Sequence, residues 1–309
     1  MIIERQEDVT PAVLKELERA PNARFREILG AFVHHMHDFV RESKLTEEEF
    51  RTAVNYVVAL GKASNETHNE GILICGSLGI SSLVCLLNNS DGQTETDASL
   101  LGPFWRMHSP VTPNGGSIVR SPTPGPVMFV DAWFRDRQGK PIEGAEVDIW
   151  HSSTEGFYEN QDPVQADMNL RGKFFTDKDG HMAFRSVKPA GYPIPVDGPT
   201  GDLLRAQGRH NMRPAHLHFL ASKDGLKTLI SQIYVADDKF IDSDVQFGVT
   251  RHLIGDYVLH NEKAPAPDVK GPWYSLKHDF VMEAGPSKLP RAPITGKAQG
   301  ERPKIPHLA

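Results

Sequence analysis

Two histidines separated by one residue, His216 and His218, have a clear capacity to bind a metal ion. Residues 213–219 are typical of a short strand. Side chains alternate between the two faces of a strand, so both imidazoles point to the same side. Two neutral imidazoles on one face form half of a metal site. Taken alone, however, the pair favours a structural role, in which both rings are hydrogen-bonded to the backbone or to water.

Two tyrosines supply the other half of a possible metal site. Tyr158 and Tyr192 each lie in a long loop, residues 152–171 and 190–212, and loops of this length are usually functional or disordered. A free phenol has a pKa near 10, so it binds as phenolate only to a strongly charged, hard cation. Two phenolates and two imidazoles therefore suit Fe³⁺ better than Zn²⁺, Ca²⁺ or Mg²⁺. Spacing alone leaves open that both tyrosines are core or interface aromatics.

Composition narrows the class of protein. The chain has 309 residues, 39% of them hydrophobic, which is ordinary for a soluble globular protein with one large core or two modest ones. Its net charge of -6, without a long basic run, argues against binding to nucleic acid or to a membrane surface. Cys75 and Cys85 suit reduced thiols, and residues 1–10 lack the apolar run of a signal peptide. We therefore expect a cytoplasmic protein.

The first part of the chain, residues 1–95, is predicted to be a helical linker or dimerisation domain. Thr46 and Glu49 have the spacing of a capping box that begins a helix, and residues 73–87 are predicted to be the most deeply buried helical material. One apolar stripe recurs at helical spacing. It consists of Phe25, Ile28, Leu29, Phe32, Met36, Phe39 and Val40. Such a stripe, without an obvious second helical layer, could pack against another subunit.

The second part, residues 96–283, is predicted to be an antiparallel β-sandwich that carries the chemistry. Apolar runs rich in β-branched residues alternate with turns containing Gly, Pro and Asp, and no helix is expected between them. The predicted strands are 127–134, 145–150, 173–176, 182–187, 214–220, 228–235 and 273–282. Residues 284–309 form a proline-rich tail that either wraps the surface or is disordered. The fold class is therefore mainly β with an α-helical N-terminal part.

Five motifs in this order resemble the intradiol ring-cleavage dioxygenases. They are Gly156-Phe157-Tyr158, Asn169-Leu170-Arg171-Gly172, Lys188-Pro189-Ala190-Gly191-Tyr192-Pro193, Gly208-Arg209-His210 and Arg213-Pro214-Ala215-His216-Leu217-His218. The similarity extends to Leu101-Gly102-Pro103-Phe104 and covers about residues 10–260. The resemblance implies one non-haem Fe(III) per subunit, bound by Tyr158, Tyr192, His216 and His218. It also implies that an aromatic diol is cut between its two hydroxyl-bearing carbons, with both atoms of O₂ inserted.

The resemblance also implies how the site works. Two phenolates and one hydroxide balance the charge of Fe³⁺, so a diol bound as a dianion can replace the hydroxide and one phenolate. The family assigns the departing phenolate to Tyr192 and the retained one to Tyr158. Tyr192 and the hydroxide would take the two substrate protons as general bases. Arg213 would stabilise negative charge on the ring. Gln232 matches a family position near the substrate, although an ordinary strand amide is the alternative interpretation.

The segments 192–199 and 101–104 look more like hydroxyquinol (benzene-1,2,4-triol) 1,2-dioxygenases than like enzymes for plain catechol. The product would be 3-hydroxy-cis,cis-muconate or its tautomer maleylacetate. The family implies a substrate pocket lined by Leu73, Gly76, Leu101, Pro103, Phe104, Ile194, Pro195, Val196 and Val245. Val245 is small enough to leave room for a further ring substituent. Gly76 departs from the acidic residue expected there, which leaves a third hydroxyl without a partner.

Other interpretations stay open at this level. Catechol or a substituted catechol is the alternative substrate, since one methyl-sized change in such a pocket shifts preference by only about 1–3 kcal/mol. A non-catalytic β-sandwich binding protein could share the hairpins, but it would not need the two tyrosines and two histidines. Extradiol cleavage would need two histidines and a carboxylate, which no Asp or Glu in the sequence convincingly completes. The family also implies a homodimer formed through the N-terminal helices, with a lipid between them.

Overall fold

The computed structural model describes residues 2–89 and 97–308, and the chain divides into two compact units, Met1–Val58 and Ala59–Ala309. The first unit contains a 3₁₀ turn (Gln6–Asp8), helix α1 (Val9–Leu17), helix α2 (Ala23–Ser43) and most of helix α3 (Glu47–Ala63). The predicted capping box is confirmed, because the Glu49 N–H donates to Thr46 Oγ1 and the Thr46 N–H donates to Glu49 Oε2. The apolar stripe of α2 is exposed: 53% of Phe25, 59% of Phe32 and 51% of Phe39.

Two further helices, α4 (Glu70–Ser77) and α5 (Ile80–Asn89), begin the second unit. The prediction of a deeply buried helical segment is correct for α4, where Leu73 and Ile74 are buried. It is wrong for α5, because Leu83 and Leu87 are 59% and 73% exposed. No single helix in the described ranges is long and apolar enough to cross a membrane, although α4 and α5 pass that test together as a pair bent by 77°.

A β-sandwich forms the rest of the second unit, as predicted. One sheet has the order β10-β11-β1-β4, and the other has the order β3-β2-β7-β8-β9. The strands are β1 (Val127–Asp136), β2 (Glu146–His151), β3 (Arg171–Phe175), β4 (His181–Val187), β5 (Tyr192–Pro193), β6 (Met212–Arg213), β7 (His216–Lys223), β8 (Leu226–Val235), β9 (Ile254–Gly255), β10 (Val258–His260) and β11 (Trp273–Met282). Strands β5 and β6 form a separate two-stranded ribbon.

The structure corrects two details of the predicted sandwich. Pairing is not purely antiparallel, because β1 pairs with β11, and β8 with β9, in parallel. Neither of these pairs is joined by a tight turn, so no hairpin imposes the antiparallel direction. A helix also lies between the strands: α6 (Pro199–Ala206) begins with proline in its first turn, where the missing N–H costs nothing.

The core of the sandwich is made by the inward faces of both sheets. Alternation along β7 places Leu217 and Phe219 in this core, against Ile149 of β2 and Phe280 of β11. The opposite face of β7 is thereby left for His216 and His218. The proline-rich tail follows an irregular path held at several points: Ile294 is buried, and the Leu308 N–H donates to Asn211 Oδ1.

Candidate metal centre and active site

The two histidines of β7 point to one side, as their spacing predicts. His216 Nδ1 lies 2.7 Å from the carbonyl oxygen of Pro214, so Nδ1 donates and the Nε2 lone pair faces the site. His218 Nε2 lies 3.1 Å from His216 Nε2. The ring of Trp150, on the neighbouring strand β2, stacks on His218 with 4.5 Å between centroids and 9° between planes. Both imidazoles are therefore held rigidly with one nitrogen directed into the same space.

The two predicted loops bring their tyrosines to that space. Tyr192 lies on β5, directly opposite Arg213 of β6. Tyr158 follows Gly156, whose φ of +82° lies in the left-handed region that favours glycine. A Cβ at Gly156 would also lie 3.2 Å from Tyr192 Cβ, so the small residue lets the two loops approach closely. The Tyr158 N–H donates to Gln161 Oε1 at 3.1 Å, which fixes the loop locally.

The four side-chain donors converge as a compact set. Tyr158 Oη lies 3.1 Å from His218 Nε2, 3.5 Å from His216 Nε2 and 3.4 Å from Tyr192 Oη. These separations are close to the edge of about 3.3 Å expected between ligands placed tetrahedrally around a metal with bonds of about 2 Å. All four side chains are at most 1% exposed. The donor set therefore fits a single metal ion.

Burial disfavours the charged form of each of the four side chains, and it shifts the pKa of each accordingly. It raises the pKa of Tyr158 well above the ordinary value, and the neighbouring Tyr192 adds to that effect. Burial likewise raises the pKa of Tyr192, against the opposing charge of Arg213. It lowers the pKa of His216 to about 3 and that of His218 well below its ordinary value. Neutral imidazoles are ready ligands, whereas the phenols need a strongly charged cation to become phenolates.

Arg213 lies beside the set and is fixed by a paired network. Its Nε and Nη2 donate to both oxygens of Asp244, at 3.0 and 2.9 Å, and Nη1 lies 3.3 Å from His216 Nε2. Burial opposes its charge, but the Asp244 carboxylate outweighs this and raises the pKa of Arg213 well above its ordinary value. Gln232 Oε1 accepts from Arg213 Nη2 at 3.0 Å, while its amide nitrogen donates to the carbonyl of Leu100. Gln232 therefore braces Arg213.

A second charged network supports the Tyr158 loop and was missed by sequence reasoning. Glu159, the residue after Tyr158, accepts from Arg171 Nε at 2.5 Å and from Arg106 Nη1 at 2.8 Å. Asp244 was missed as well. The sequence signal that could have found them was their position: Arg171 lies within the Asn169–Gly172 motif, and Asp244 directly precedes the predicted pocket residue Val245.

Five of the nine predicted pocket residues share an apolar cluster with the two tyrosines. Leu73, Phe104, Ile194, Val196 and Val245 belong to one apolar cluster with Tyr158 and Tyr192, and Leu101 packs against it. Pro195 lines a cavity of about 460 Å³ with Phe104 and Val196. A second cavity, of about 380 Å³, is lined by Leu101 among others. Pro103 is half-buried next to Phe104 in the chain. Gly76 lies in α4, beneath the side chain of Gln246.

A separate group of possible metal ligands consists of Asp97, His252 and His278, whose ligand atoms lie within 4.8 Å of one another. Two histidines and a carboxylate are the composition that the extradiol alternative requires. Within this group, however, His252 Nε2 lies 2.5 Å from Asp97 Oδ1, and Asp97 Oδ2 accepts from the Val281 N–H. The carboxylate is thus already engaged by the protein.

Comparison with known proteins agrees with the geometry. The family profile described as "Dioxygenase" matches residues 102–284, and "Catechol dioxygenase N terminus" matches residues 22–96. A catechol 1,2-dioxygenase of Candida albicans is 39% identical over 90% of this chain and 93% of its own length. A hydroxyquinol 1,2-dioxygenase of Rhizobium sp. is 37% identical over 90% of this chain and 95% of its own.

The solved structure of hydroxyquinol 1,2-dioxygenase from Pseudomonas putida DLL-E4 superimposes with a TM-score of 0.81 at 36% identity, covering 91% of this chain and 99% of that one. The two family profiles, together with these relatives and this solved structure, identify a ring-cleaving dioxygenase. The chain belongs to the intradiol ring-cleavage dioxygenase family, and it is an enzyme. The family predicted from the sequence motifs is confirmed, and the non-catalytic alternative is excluded.

Proposed function

We propose that this enzyme opens the ring of hydroxyquinol between two adjacent hydroxyl-bearing carbons, at one non-haem Fe(III) per chain. The observation that carries the proposal is that Tyr158 Oη lies 3.1–3.5 Å from the donor atoms of Tyr192, His216 and His218 in a buried space. Two phenolates with two imidazoles are a donor set for a hard, highly charged ion. When bound, the ferric ion supplies the Lewis-acid and redox chemistry that lets an aromatic diol react with O₂.

The residues of the chain would position the diol and handle its protons and charge. Tyr158 and the two histidines are rigidly braced, by the Glu159 network, by Pro214 and by Trp150, and would hold the ion throughout. Tyr192 lies opposite Arg213, whose positive charge opposes the rise in the phenol's pKa. The Arg213 charge favours the phenolate form of Tyr192, which is the form that would accept a proton from a substrate hydroxyl. The Arg213 guanidinium would stabilise negative charge on the ring, and Gln232 would keep it in place.

Hydroxyquinol is favoured over other diols by the similarity of this chain to hydroxyquinol 1,2-dioxygenases in both sequence and structure. Val245 belongs to the apolar cluster around the tyrosines, and its small side chain would suit a ring with a third substituent better than an aromatic residue at this position would. The product would be 3-hydroxy-cis,cis-muconate or its tautomer maleylacetate, with both oxygen atoms of O₂ incorporated. Catechol is the second candidate, because the Candida albicans relative that is 39% identical is a catechol 1,2-dioxygenase.

Turnover of the two substrates by the purified iron-containing enzyme tests the proposal. We expect hydroxyquinol to be consumed with an equal amount of O₂, and both labelled atoms of ¹⁸O₂ to appear in the ring-opened product. The kcat/KM for hydroxyquinol should exceed that for catechol. A clear preference for catechol would reject hydroxyquinol as the substrate. Incorporation of a single oxygen atom would reject intradiol cleavage itself.

We also propose that two chains associate through the N-terminal helices, with a lipid against their apolar faces. The support is the exposed stripe of α2, in which Phe25, Phe32 and Phe39 are each more than half exposed. Sedimentation should show a dimer at micromolar concentration, and Phe32→Asp should shift it toward monomer. Native mass spectrometry should show the added mass of the lipid. A wild-type monomer would reject the association.

A cytoplasmic location, suggested by the two free cysteines, stays a prediction.

A further inference from the structure

The wall around Gly76 is filled by a side chain from a distant part of the sequence. Gln246 is only 5% exposed, and its carbonyl oxygen lies over the helix α4 backbone at Gly76. A Cβ at position 76 would lie 1.7 Å from Gln246 Oε1 and 2.6 Å from its Cδ. The absence of a side chain at Gly76 is therefore what allows the Gln246 amide to occupy this place.

The orientation of the Gln246 amide is set by hydrogen bonds that its nitrogen donates. Gln246 Nε2 donates to Ser77 Oγ at 2.8 Å and to the carbonyl of Leu73 at 3.4 Å. Arg209 joins the two segments, because it donates to the carbonyl of Ser77 at 2.7 Å and to that of Val245 at 2.9 Å. These bonds direct the amide nitrogen toward α4. Among the residues that the structure describes, Gln246 Oε1 receives no hydrogen bond.

The neighbours of Gln246 connect it to the active site. Gln246 lines the cavity of about 380 Å³ together with Leu101 and Gly102. A Cβ at Gly102 would lie 3.3 Å from Cε1 of His218, so one residue of the cavity wall packs on a donor ring, although none of the four donors lines the cavity itself. Leu73 and Val245, the residues adjoining the amide, belong to the apolar cluster that contains Tyr158 and Tyr192.

An acceptor that no described residue pairs with can gain a hydrogen bond from a ligand that supplies a donor. A hydroxyl group does so, whereas hydrogen, chlorine or a methyl group in the same place does not. We propose that Gln246 Oε1, which occupies the place of a side chain at Gly76, accepts a hydrogen bond from the third hydroxyl of a triol substrate. This inference rests on the proposed function, and it supplies the partner for the third hydroxyl that the Gly76 backbone lacks.

The Gln246 subsite is tested by comparing kcat/KM for hydroxyquinol and for catechol in the iron-containing enzyme. Gln246→Leu keeps most of the volume but removes the acceptor, so the hydroxyquinol-to-catechol ratio should fall about 3- to 10-fold, the size of one neutral hydrogen bond. Turnover of catechol should change little. The same replacement at the exposed turn residue Gln138 is the matched control and should leave the ratio unchanged.

Two further variants guard against a folding defect in Gln246→Leu. Gly76→Ala places a Cβ where Oε1 lies and should lower the ratio by displacing the amide. Ser77→Ala removes the hydroxyl that positions the amide nitrogen and should lower the ratio less, without changing any residue of the donor set. Intact turnover with an unchanged ratio in all three variants would overturn the Gln246 subsite and leave the proposed function standing. A wild type that opens neither ring would overturn both.

Discussion

Two polar regions lie side by side within the same β-sandwich, and they differ in how their charges are satisfied. Around Arg213, both Asp244 oxygens, Gln232 and Tyr234 each meet a guanidinium nitrogen at 2.9–3.0 Å. Around Tyr158, by contrast, phenol oxygens and imidazole lone pairs face one another at similar distances. The first region is held by charge-assisted hydrogen bonds within the protein, whereas the second contains only contacts between neutral phenols and imidazoles, which bonds to a cation would replace with stronger ones.

The difference separates support from chemistry. The paired region sets the orientation of Arg213 and, through the neighbouring β5–β6 ribbon, the position of Tyr192. Burial alone disfavours the phenolate form of both tyrosines in the donor region. A highly charged ion bound there would stabilise that form. Substitutions in the two regions should therefore fail in different ways: loss of metal in one, and loss of stability and rate in the other.

The largest effect is expected when the donor region loses one oxygen. Tyr158→Phe removes a phenolate and leaves three ligands, so bound iron should fall at least tenfold and ring-opening activity about 10³-fold or more. Metal content by mass spectrometry and O₂ uptake measure both. Tyr257→Phe is the control, because Tyr257 is buried and donates to the carbonyl of Ile233 away from the donor set. Iron retained in full by Tyr158→Phe would point to the Asp97 group instead.

The paired region should respond mainly in stability and rate. Arg213→Ala leaves Asp244 buried without its partner, which should cost about 3–5 kcal/mol of unfolding free energy. Loss of the positive charge beside the ring should lower kcat about 10²- to 10³-fold. Urea denaturation and steady-state kinetics provide the two readouts.

Arg205→Ala is the matched control for the stability effect. Its partner Asp202 is exposed, and such surface pairs contribute only about 0–1 kcal/mol. Equal destabilisation by Arg205→Ala and Arg213→Ala would contradict the view that the Arg213 network is a buried support.

A smaller effect should come from Asp148, a buried carboxyl that belongs to neither region. Its Oδ1 has no described hydrogen-bond partner, and burial raises its pKa to about 6 from an ordinary 3.8. The unfolded chain therefore releases this proton first, so stability should decline as pH rises from about 4 to about 6. Asp148→Asn should remove that decline and gain up to about 3 kcal/mol at about pH 7, measured by urea denaturation. Parallel pH profiles for the two proteins would contradict the shift.

Local patterns predicted the parts of the site that depend on neighbouring residues. A period of two along β7 was sufficient to place His216 and His218 opposite the core residues Leu217 and Phe219. The tyrosines were found because each is isolated in a long, glycine-containing loop. The sandwich followed from frequent turns, but the parallel pairing of β1 with β11 did not, because strand direction without a connecting hairpin is set by tertiary packing.

What the sequence left out depends on contacts between distant residues. Gln246 is 170 positions from Gly76, and no local pattern indicates that its amide would fill the place of a missing side chain. Helix α5 was expected to be buried because it is apolar, yet Leu87 is 73% exposed. Hydrophobicity predicts that a residue is buried, but a single sequence does not identify the residues or the molecule that it packs against.

The visible absorption spectrum of the purified protein tests the central claim most directly. Phenolate oxygens bound to Fe(III) give a ligand-to-metal charge-transfer band, so a preparation containing one iron per chain should be red. Anaerobic addition of hydroxyquinol should shift that band. A colourless protein that contains one iron per chain would contradict the assignment of Tyr158 and Tyr192 as ligands.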